Sequence, residues 1–334
     1  MTNRKIALIG CGGWGKNLAR NLHELGALVL IVDPSPNAAE LAKSLGVRCS
    51  TDLADAIDDP SIDGIAIATP APTHFAIAER AMLAGKGVFV EKPIALSTKE
   101  GERLREISSD TGEVLMVGHL LQYHPVYLRL KELSEAGELG DIKYMASSRL
   151  SMGMIRTEEN VIWSFSPHDI SMVLGIAGTI PERVSAIGTL VLPQKIADNG
   201  TIHLVWKNGL RADITSSWLS PQKEQKLVVV GDKAMAVFSD TMPWEEKLTI
   251  YRNEVTYVDG RPKAVKGAAD MVDVPQAEPL KMEMQHFIDC LAESKSPRTD
   301  AAEATRVLAV LQCAESSLEN DNKWVKSEDF IAEE

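Results

Sequence analysis

Short apolar runs alternate with amphipathic stretches over the first third of the chain. Apolar runs of four or five residues predict strands that are buried on both faces, as in a parallel sheet, and the stretches between them show helical spacing. This rhythm predicts a doubly wound α/β (Rossmann) domain over residues 1–120. The predicted strands are Ile6 to Ile9, Leu28 to Val32, Ile65 to Ala68, Val88 to Val90 and Val114 to Val117.

The pattern changes beyond residue 120. Apolar and polar residues alternate in several runs, which predicts an open, mostly antiparallel sheet with one helix near Ser171. We assign residues 121–334 to a C-terminal α/β domain for substrate binding and oligomerisation, with the final helices free to pack back on the first domain. Hairpin turns are predicted at Asn199-Gly200, Asn208-Gly209 and Gly231-Asp232, and a mobile loop from Gly260 to Pro279.

Composition and charge narrow the classes of function. Of the 334 residues, 45% are hydrophobic, and the formal charge of −12 disfavours a broad nucleic-acid surface. The sequence has neither a signal peptide nor a run of about 18 apolar residues, so we expect a cytoplasmic protein without a membrane partner. Its four cysteines are far apart and lack C-x-x-C spacing, which favours reduced thiols over disulfides or a metal site.

A glycine motif follows the first predicted strand and begins a helix. In Gly10-Cys11-Gly12-Gly13-Trp14-Gly15, the glycines permit a tight turn, close approach of a pyrophosphate and close helix packing. The same residues begin the pattern of a phosphate loop with Lys16, the mark of a nucleotide hydrolase. That loop needs a hydroxyl residue next, and Asn17 stands there instead. The motif therefore favours dinucleotide binding.

Asp33 lies 23 residues after Gly10, at the end of the second predicted strand. A carboxylate there accepts hydrogen bonds from the ribose hydroxyls of NAD and repels the 2′-phosphate of NADP. No arginine adjoins Asp33 to receive such a phosphate. We therefore predict NAD as the cofactor, with NADP less favoured.

Two segments at predicted strand ends are further candidates. Glu91-Lys92-Pro93 follows a strand at the sheet edge where α/β folds bind ligands, and Lys92 beside a nicotinamide ring could accept a proton. From spacing alone, a surface lysine before a proline turn is an equal alternative. Thr69, Pro70 and His74 are predicted to contact the cofactor, although Thr73 could simply cap a helix.

Imidazole groups cluster in the next part of the sequence. His168 lies in an apolar, aromatic region and suits proton transfer or binding of a substrate hydroxyl, but taken alone it is better explained as a structural histidine. His119, Tyr123 and His124 are predicted at the domain junction, where small-molecule sites are common. Their spacing and the lack of a matching carboxylate argue against a metal site.

Together, the glycine motif, Glu91-Lys92-Pro93 and the later histidine resemble the Gfo/Idh/MocA family of oxidoreductases over nearly the whole chain. Gly118-His119, Tyr123-His124-Pro125, the segment from Trp163 to Ile170 and Glu278-Pro279-Leu280 resemble the branch that acts on nucleotide-linked sugars, in particular the enzymes that oxidise C3 of UDP-N-acetylglucosaminuronate.

The resemblance implies a homodimer or homotetramer built through the C-terminal sheet, a cis peptide bond before Pro93, and Lys92 and His168 as the catalytic pair. It also implies that Lys92, His119, Tyr123, His124, Trp163 and His168 bind the substrate. Many members have an aspartate four residues before the histidine, where this chain has Ser164, so the roles of Lys92 and His168 in proton transfer stay open.

The expected reaction is hydride transfer between NAD and a ring carbon of a sugar, most simply C3 of a nucleotide-linked sugar. The alternatives are a keto-sugar reductase, a dehydrogenase of a free sugar or inositol, and a catalytically silent NAD-binding regulatory protein.

Overall fold

The computed structural model describes residues 4–331, so the outer ends of the two expected domains lie outside the described residues. The chain divides into two compact units. The N-terminal unit comprises the chain up to Tyr123 together with Ala277–Leu308, and the C-terminal unit comprises His124–Gln276 and the chain from Ala309 onward. Residues 124–276 of the C-terminal unit are thus inserted between two segments of the N-terminal unit.

The N-terminal unit is built on a six-stranded sheet in which every neighbouring pair is parallel. The strand order is β3-β2-β1-β4-β5-β6, the order of the dinucleotide-binding fold, and it confirms the predicted α/β class. The strands are β1 (Ile6–Ile9), β2 (Leu28–Val32), β3 (Arg48–Ser50), β4 (Gly64–Ile67), β5 (Gly87–Glu91) and β6 (Leu115–Gly118).

Helices connect these strands, and local signals explain where they begin and end. The Ser35 hydroxyl caps one helix and the Ser97 hydroxyl another, and Gly46 and Gly112 end the same two helices in the left-handed conformation that glycine adopts without strain. The helices are α1 (Gly15–Glu24), α2 (Pro36–Leu45), α3 (Ala54–Ile57), α4 (His74–Leu83) and α5 (Thr98–Thr111), with a 3₁₀ turn at Ala71–Thr73 and another at Leu120–Tyr123.

The returning segment completes the core of the N-terminal unit. Phe287 and Leu291 of a later helix, α8 (Pro279–Glu293), pack over the start of β4 and β5, where two glycines leave room for them. A Cβ atom on Gly64 would lie 2.8 Å from Leu291 Cδ1, and a Cβ on Gly87 would also collide with Leu291. The close packing of helix and sheet therefore depends on glycine at both positions.

The C-terminal unit contains a nine-stranded sheet of order β16-β13-β12-β11-β7-β10-β9-β8-β17. Its pairs are antiparallel except for β7 and β10, which run parallel, so the sheet is mixed rather than purely antiparallel. Its strands are β7 (Ile142–Met152), β8 (Arg183–Thr189), β9 (Asn199–Val205), β10 (Arg211–Ser217), β11 (Leu219–Gly231), β12 (Met235–Ser239), β13 (Leu248–Tyr251), β16 (Ala269–Met271) and β17 (Val325–Lys326).

Helices cover one face of this sheet. The helix predicted near Ser171 is α7 (Val161–Ala177), and it packs against β7, β9 and β10. Two further helices belong wholly or partly to this unit: α6 (Pro125–Glu135), which contacts β12, and α9 (Ala301–Glu319), which begins in the N-terminal unit. A short 3₁₀ turn at Trp244–Glu246 precedes β13, and another follows β17 at Ser327–Asp329.

Three sequence predictions about this unit are corrected. Asn199-Gly200 lies inside β9 rather than in a turn, because Gly200 packs its Cα against Ile162, where a Cβ would lie 2.9 Å from Ile162 Cγ1. The predicted loop from Gly260 to Pro279 contains strands, since β14 (Glu254–Val258) pairs with β15 (Arg261–Val265) as an exposed hairpin and β16 joins the large sheet.

The third correction concerns the alternation of apolar and polar residues in Leu210 to Ser217 and Ala234 to Phe238. This pattern predicts an apolar sheet face that few later helices can cover, and hence at least a dimer. Ala212, Ile214, Ala236 and Phe238 are buried within the chain itself. Among the described residues, no helix is long and apolar enough to cross a membrane.

Candidate active site

The glycine loop between β1 and α1 leaves space for a ligand. Gly10 has a φ of 88°, and a Cβ there would lie 2.7 Å from the backbone of Ala68 and Thr69. A Cβ on Gly15 would collide with the Gly10 carbonyl. By contrast, nothing lies within 4 Å of a Cβ built on Gly12 or Gly13. The loop is therefore closely packed on its inner side and open on its outer side, as pyrophosphate binding at a helix N-terminus requires.

Asp33 lies directly after β2, beside this loop. Its Oδ2 accepts a hydrogen bond of 2.6 Å from the Cys11 N–H, and its Oδ1 accepts one of 2.7 Å from the Ser35 N–H. These bonds hold the carboxylate at the end of the strand and fix its orientation. A carboxylate oxygen can accept more than one hydrogen bond, so Asp33 keeps the capacity to bind ribose hydroxyls.

The predicted contacts Thr69, Pro70 and His74 form a loop that is bonded internally. The Thr69 and Thr73 hydroxyls are 2.7 Å apart, and the His74 ring lies 2.7 Å from the Pro93 carbonyl oxygen and 2.8 Å from the Thr69 carbonyl oxygen. Burial lowers the pKa of His74. The imidazole thus ties the loop after β4 to the loop after β5, and both of its ring nitrogens are engaged by protein groups.

Lys92 follows β5 directly, at the carboxyl edge of the sheet, and its peptide bond with Pro93 is cis, as the resemblance implied. The neighbouring Glu91 accepts a hydrogen bond of 2.5 Å from the Trp14 indole N–H. This bond connects the glycine loop to the end of β5. Removal from water raises the pKa of Glu91 to about 7, against the opposing effects of Trp14, Lys92 and His119.

A second acid lies in the same unit. Glu283 of α8 is 1% exposed, and its Oε1 has no hydrogen-bond partner among the described residues. Burial raises the pKa of Glu283 well above its usual range, and the charge of Glu91 raises it further. Its surroundings therefore favour the neutral, protonated form of this acid.

His119 immediately follows β6 and is 2% exposed. Its Nδ1 lies 2.5 Å from Oε2 of Glu303, in the first turn of α9. Nearby, the Tyr123 hydroxyl lies 3.0 Å from the Thr299 hydroxyl, and burial raises the pKa of Tyr123. Tyr123 is 1% exposed, so in this structure its ring forms part of the core of the unit.

His124 is the first residue of the C-terminal unit, and protein groups contact both of its ring nitrogens. Its Nδ1 accepts a hydrogen bond of 3.2 Å from the Val126 N–H and so caps α6. Its Nε2 lies 3.3 Å from Asp240, and its ring stacks on Trp244. Asp240 has a pKa lowered to about 2, despite its burial, because His124 and Lys247 bind it.

Helix α7 carries the remaining candidates. The Asn160 side chain caps the helix, and the Trp163 indole N–H donates a 2.9 Å hydrogen bond to Glu315. His168 is partly exposed and follows Pro167 within the helix. The adjacent carboxylate is engaged elsewhere, since Asp169 is fully buried and lies 2.5 Å from Nε of Arg149.

Several of the predicted site residues thus lie at the ends of strands in one unit, as their positions in the sequence suggested. They are the glycine loop, Asp33, Glu91, Lys92 and His119. Glu303 and Glu283 were not predicted. Glu303 is 184 residues from His119, and no local pattern marks either acid as part of the site. Among the described residues, no group of three or more His, Cys, Asp or Glu side chains is placed to hold a metal ion, and the four cysteines are free thiols.

The chain is similar to known proteins along its length. A family model described as an oxidoreductase family with an NAD-binding Rossmann fold matches residues 4–119, and the C-terminal domain model of the Gfo/Idh/MocA family matches residues 127–237. UDP-N-acetylglucosamine 3-dehydrogenase of Acidithiobacillus ferrooxidans is 28% identical over 311 residues, which cover 92% of this chain and 95% of that protein.

Two further comparisons agree on the family. The scyllo-inositol 2-dehydrogenase (NAD(+)) of Bacillus subtilis is 27% identical over 95% of this chain and 94% of that protein. A solved structure of the A. ferrooxidans 3-dehydrogenase has a TM-score of 0.84 at 26% identity and covers 96% of this chain and 99% of that one. The chain belongs to the Gfo/Idh/MocA family, and it is an oxidoreductase with an NAD-binding Rossmann domain.

Proposed function

We propose that this protein is an NAD-dependent dehydrogenase that acts on a ring carbon, C3, of a nucleotide-linked sugar. The observation that carries the proposal is the position of Lys92 directly after β5, at the sheet edge where the Trp14–Glu91 bond joins the glycine loop to the same strand end. The similarity to a nucleotide-sugar 3-dehydrogenase over 92% of the chain supports the substrate class.

Lys92 is the residue that moves the proton. NAD would supply the hydride acceptor when bound; the glycine loop would hold its pyrophosphate and Asp33 its adenosine ribose. As the C–H bond of the substrate breaks, the Lys92 amine takes the proton of the hydroxyl on the same carbon. Glu91 and the glycine loop hold the strand end that carries Lys92.

His168 binds the reacting hydroxyl or shares its proton with Lys92. The aspartate that many family members have four residues earlier is Ser164 here, and Asp169 cannot replace it because Arg149 and the Ser147 hydroxyl bind its carboxylate. Proton transfer on this helix therefore depends on the imidazole alone. Replacing His168 with asparagine should lower both turnover and substrate affinity.

A dehydrogenase of a free inositol is the second candidate, favoured by the similarity to scyllo-inositol 2-dehydrogenase over 95% of the chain. The reverse reaction, reduction of a keto-sugar, uses the same residues. A silent NAD-binding regulatory protein is disfavoured because Lys92 and His168 are both present.

A substrate panel tests the proposal. The purified protein with NAD is offered UDP-sugars, including UDP-N-acetylglucosamine and its uronate, beside free sugars and inositols, and NADH formation is followed by absorbance. We expect turnover with a UDP-sugar. Faster turnover of a free sugar or an inositol than of every UDP-sugar would contradict the substrate class.

A pair of variants tests the role of Lys92. Lys92→Met should lower turnover by about a hundred- to ten-thousandfold and leave NAD affinity unchanged. Lys99→Met is the control, because Lys99 is an exposed lysine on α5. Wild-type turnover in Lys92→Met would contradict the mechanism.

We also propose a cytoplasmic homodimer or homotetramer. On the face of the large sheet opposite α7, partly exposed apolar side chains are neighbours on adjacent strands. Val228 is paired in register with Val237, Val230 with Met235, and Met235 with Tyr251. An apolar patch of this kind is typical of a subunit interface. The patch lies on β11, β12 and β13, whereas the sequence pattern indicated β10 and β12.

A further inference from the structure

His119 is held by the protein through one of its ring nitrogens. Its Nδ1 lies 2.5 Å from the Glu303 carboxylate. A carboxylate accepts hydrogen bonds and cannot donate them, so Nδ1 must carry a proton. In the neutral ring, Nε2 is then the basic nitrogen, as in a Ser-His-Asp arrangement.

Several bonds fix Glu303 relative to His119. The Val117 N–H donates to the Thr299 carbonyl at 2.8 Å, and the Thr299 hydroxyl donates to the Val117 carbonyl at 2.7 Å, so the end of β6 is joined to the segment before α9. Asp300 Oδ1 accepts the Glu303 N–H at 2.9 Å. Glu303 itself lies in the first turn of this helix.

The register of the sheet brings His119 near Lys92. Glu91, the last residue of β5, is paired with Gly118, the last residue of β6, so Lys92 and His119 each follow directly after one of two adjacent strands. Neighbouring strands lie about 4.8 Å apart. His119 is also close enough to the Glu91 carboxylate to lower its pKa. The imidazole therefore lies at the same strand ends as the lysine.

We propose that His119 and Glu303 form a proton relay for Lys92, an inference that rests on the proposed dehydrogenase function. The substrate O–H bond breaks and its proton forms an N–H bond with the Lys92 amine. The lysine then returns to its neutral form by passing that proton to His119 Nε2, and Glu303 stabilises the imidazolium. From there the proton passes to water. Glu303 is a positioning residue, and the relay takes the place of the acid that Ser164 does not provide.

Kinetic measurements on the most active compound of the substrate panel test the relay. His119→Ala should lower kcat by about a hundredfold, the lower range for loss of an acid–base group, with little change in KM or NAD affinity. Added imidazole should restore part of kcat. Glu303→Gln should lower kcat less and raise the solvent deuterium isotope effect.

A matched pair outside the N-terminal unit serves as the control. His203 and Asp213, on β9 and β10, make a similar contact of 2.6 Å, and both side chains are more than one third exposed. His203→Ala and Asp213→Asn should leave kcat unchanged. A loss in His119→Ala that appears only in KM or in folding, with no rescue by imidazole, would overturn the relay.

A second measurement needs no sugar substrate. Nitrogen-15 NMR of the histidine rings in the full-length protein reports which nitrogen carries the proton. We expect His119 protonated at Nδ1 in the wild type and a mixed population in Glu303→Gln. Protonation at Nε2 alone in the wild type would overturn the relay. If no compound on the panel were oxidised, the proposed function would fail, and the NMR result alone would decide whether the dyad exists.

Discussion

Replacing Asp33 with serine should weaken NAD binding and reduce the preference for NAD over NADP. In the structure, the Asp33 carboxylate lies at the end of β2 and is oriented by two backbone N–H groups, at 2.6 and 2.7 Å. Hydrogen bonds to a charged group contribute about 1.5–3 kcal/mol. Losing that contribution at the ribose corresponds to an affinity about 10- to 150-fold lower for NADH, at 1.4 kcal/mol per factor of ten.

The same substitution should not lower NADPH affinity to the same extent, because the negative charge that repels the 2′-phosphate is removed as well. The assay is fluorescence titration of NADH and NADPH against the wild type and Asp33→Ser. Asp33→Asn separates charge from hydrogen bonding, since the amide oxygen can still accept one N–H. Asp52→Ser is the control, because Asp52 also accepts a backbone N–H, that of Ala54 at 2.9 Å, but lies beyond β3.

Two results would refute this reasoning. Equal or tighter binding of NADPH by the wild type would show that Asp33 does not select the cofactor. An unchanged ratio of NADH to NADPH affinity in Asp33→Ser would show that the carboxylate is engaged only by the Cys11 and Ser35 N–H groups and does not reach the ribose.

Three further predictions concern stability and assembly. Asp169→Asn should lower the free energy of unfolding by about 3–5 kcal/mol, because it leaves the Arg149 charge in a buried site. The control, Asp141→Asn at an exposed ion pair, should change the free energy of unfolding little. A loss below about 1 kcal/mol for Asp169→Asn in denaturant unfolding would contradict the prediction. The pKa of Glu91, raised from 4.5 to about 7, means that the folded state binds a proton that the unfolded state has released over this range. The free energy of unfolding should therefore fall as pH rises from about 4.5 to 7. If it falls by the same amount in Glu91→Gln as in the wild type, Glu91 is not the group responsible. Light scattering should give a mass of at least twice 36.4 kDa, and a single-chain mass at micromolar concentration would rule out the proposed dimer.

The glycine loop and the strands around it could be predicted because their signals are local. Buried parallel strands appear as continuous apolar runs, and the spacing of Gly10, Gly12 and Gly15 reflects close backbone contacts within one turn. Lys92 and His119 could be placed at strand ends for the same reason. The structure then showed that the residues just before them, Glu91 and Gly118, are paired in register, which the sequence order alone does not specify.

What could not be predicted depends on long-range contacts. Glu303 contacts a histidine 184 residues away, and nothing in its own segment distinguishes it from a solvated acid in the first turn of a helix. The resemblance implies that His124 binds substrate, but nothing in the sequence predicts that it also caps α6 and stacks on Trp244. The Asn199-Gly200 pair has the composition of a turn, but the small size of Gly200 is needed where the strand passes Ile162.

The return of residues 277–308 to the first unit limits how this protein can be divided. A fragment that ended near residue 120 would lack Phe287 and Leu291, and it would leave Gly64, Gly87 and the Phe89 ring uncovered. Such a fragment should aggregate rather than bind dinucleotide. An autonomous NAD-binding module would instead require both segments, 4–123 and 277–308, joined by a linker in place of the inserted sheet. In evolutionary terms, the inserted unit can be exchanged for another only if the replacement returns the chain to α8.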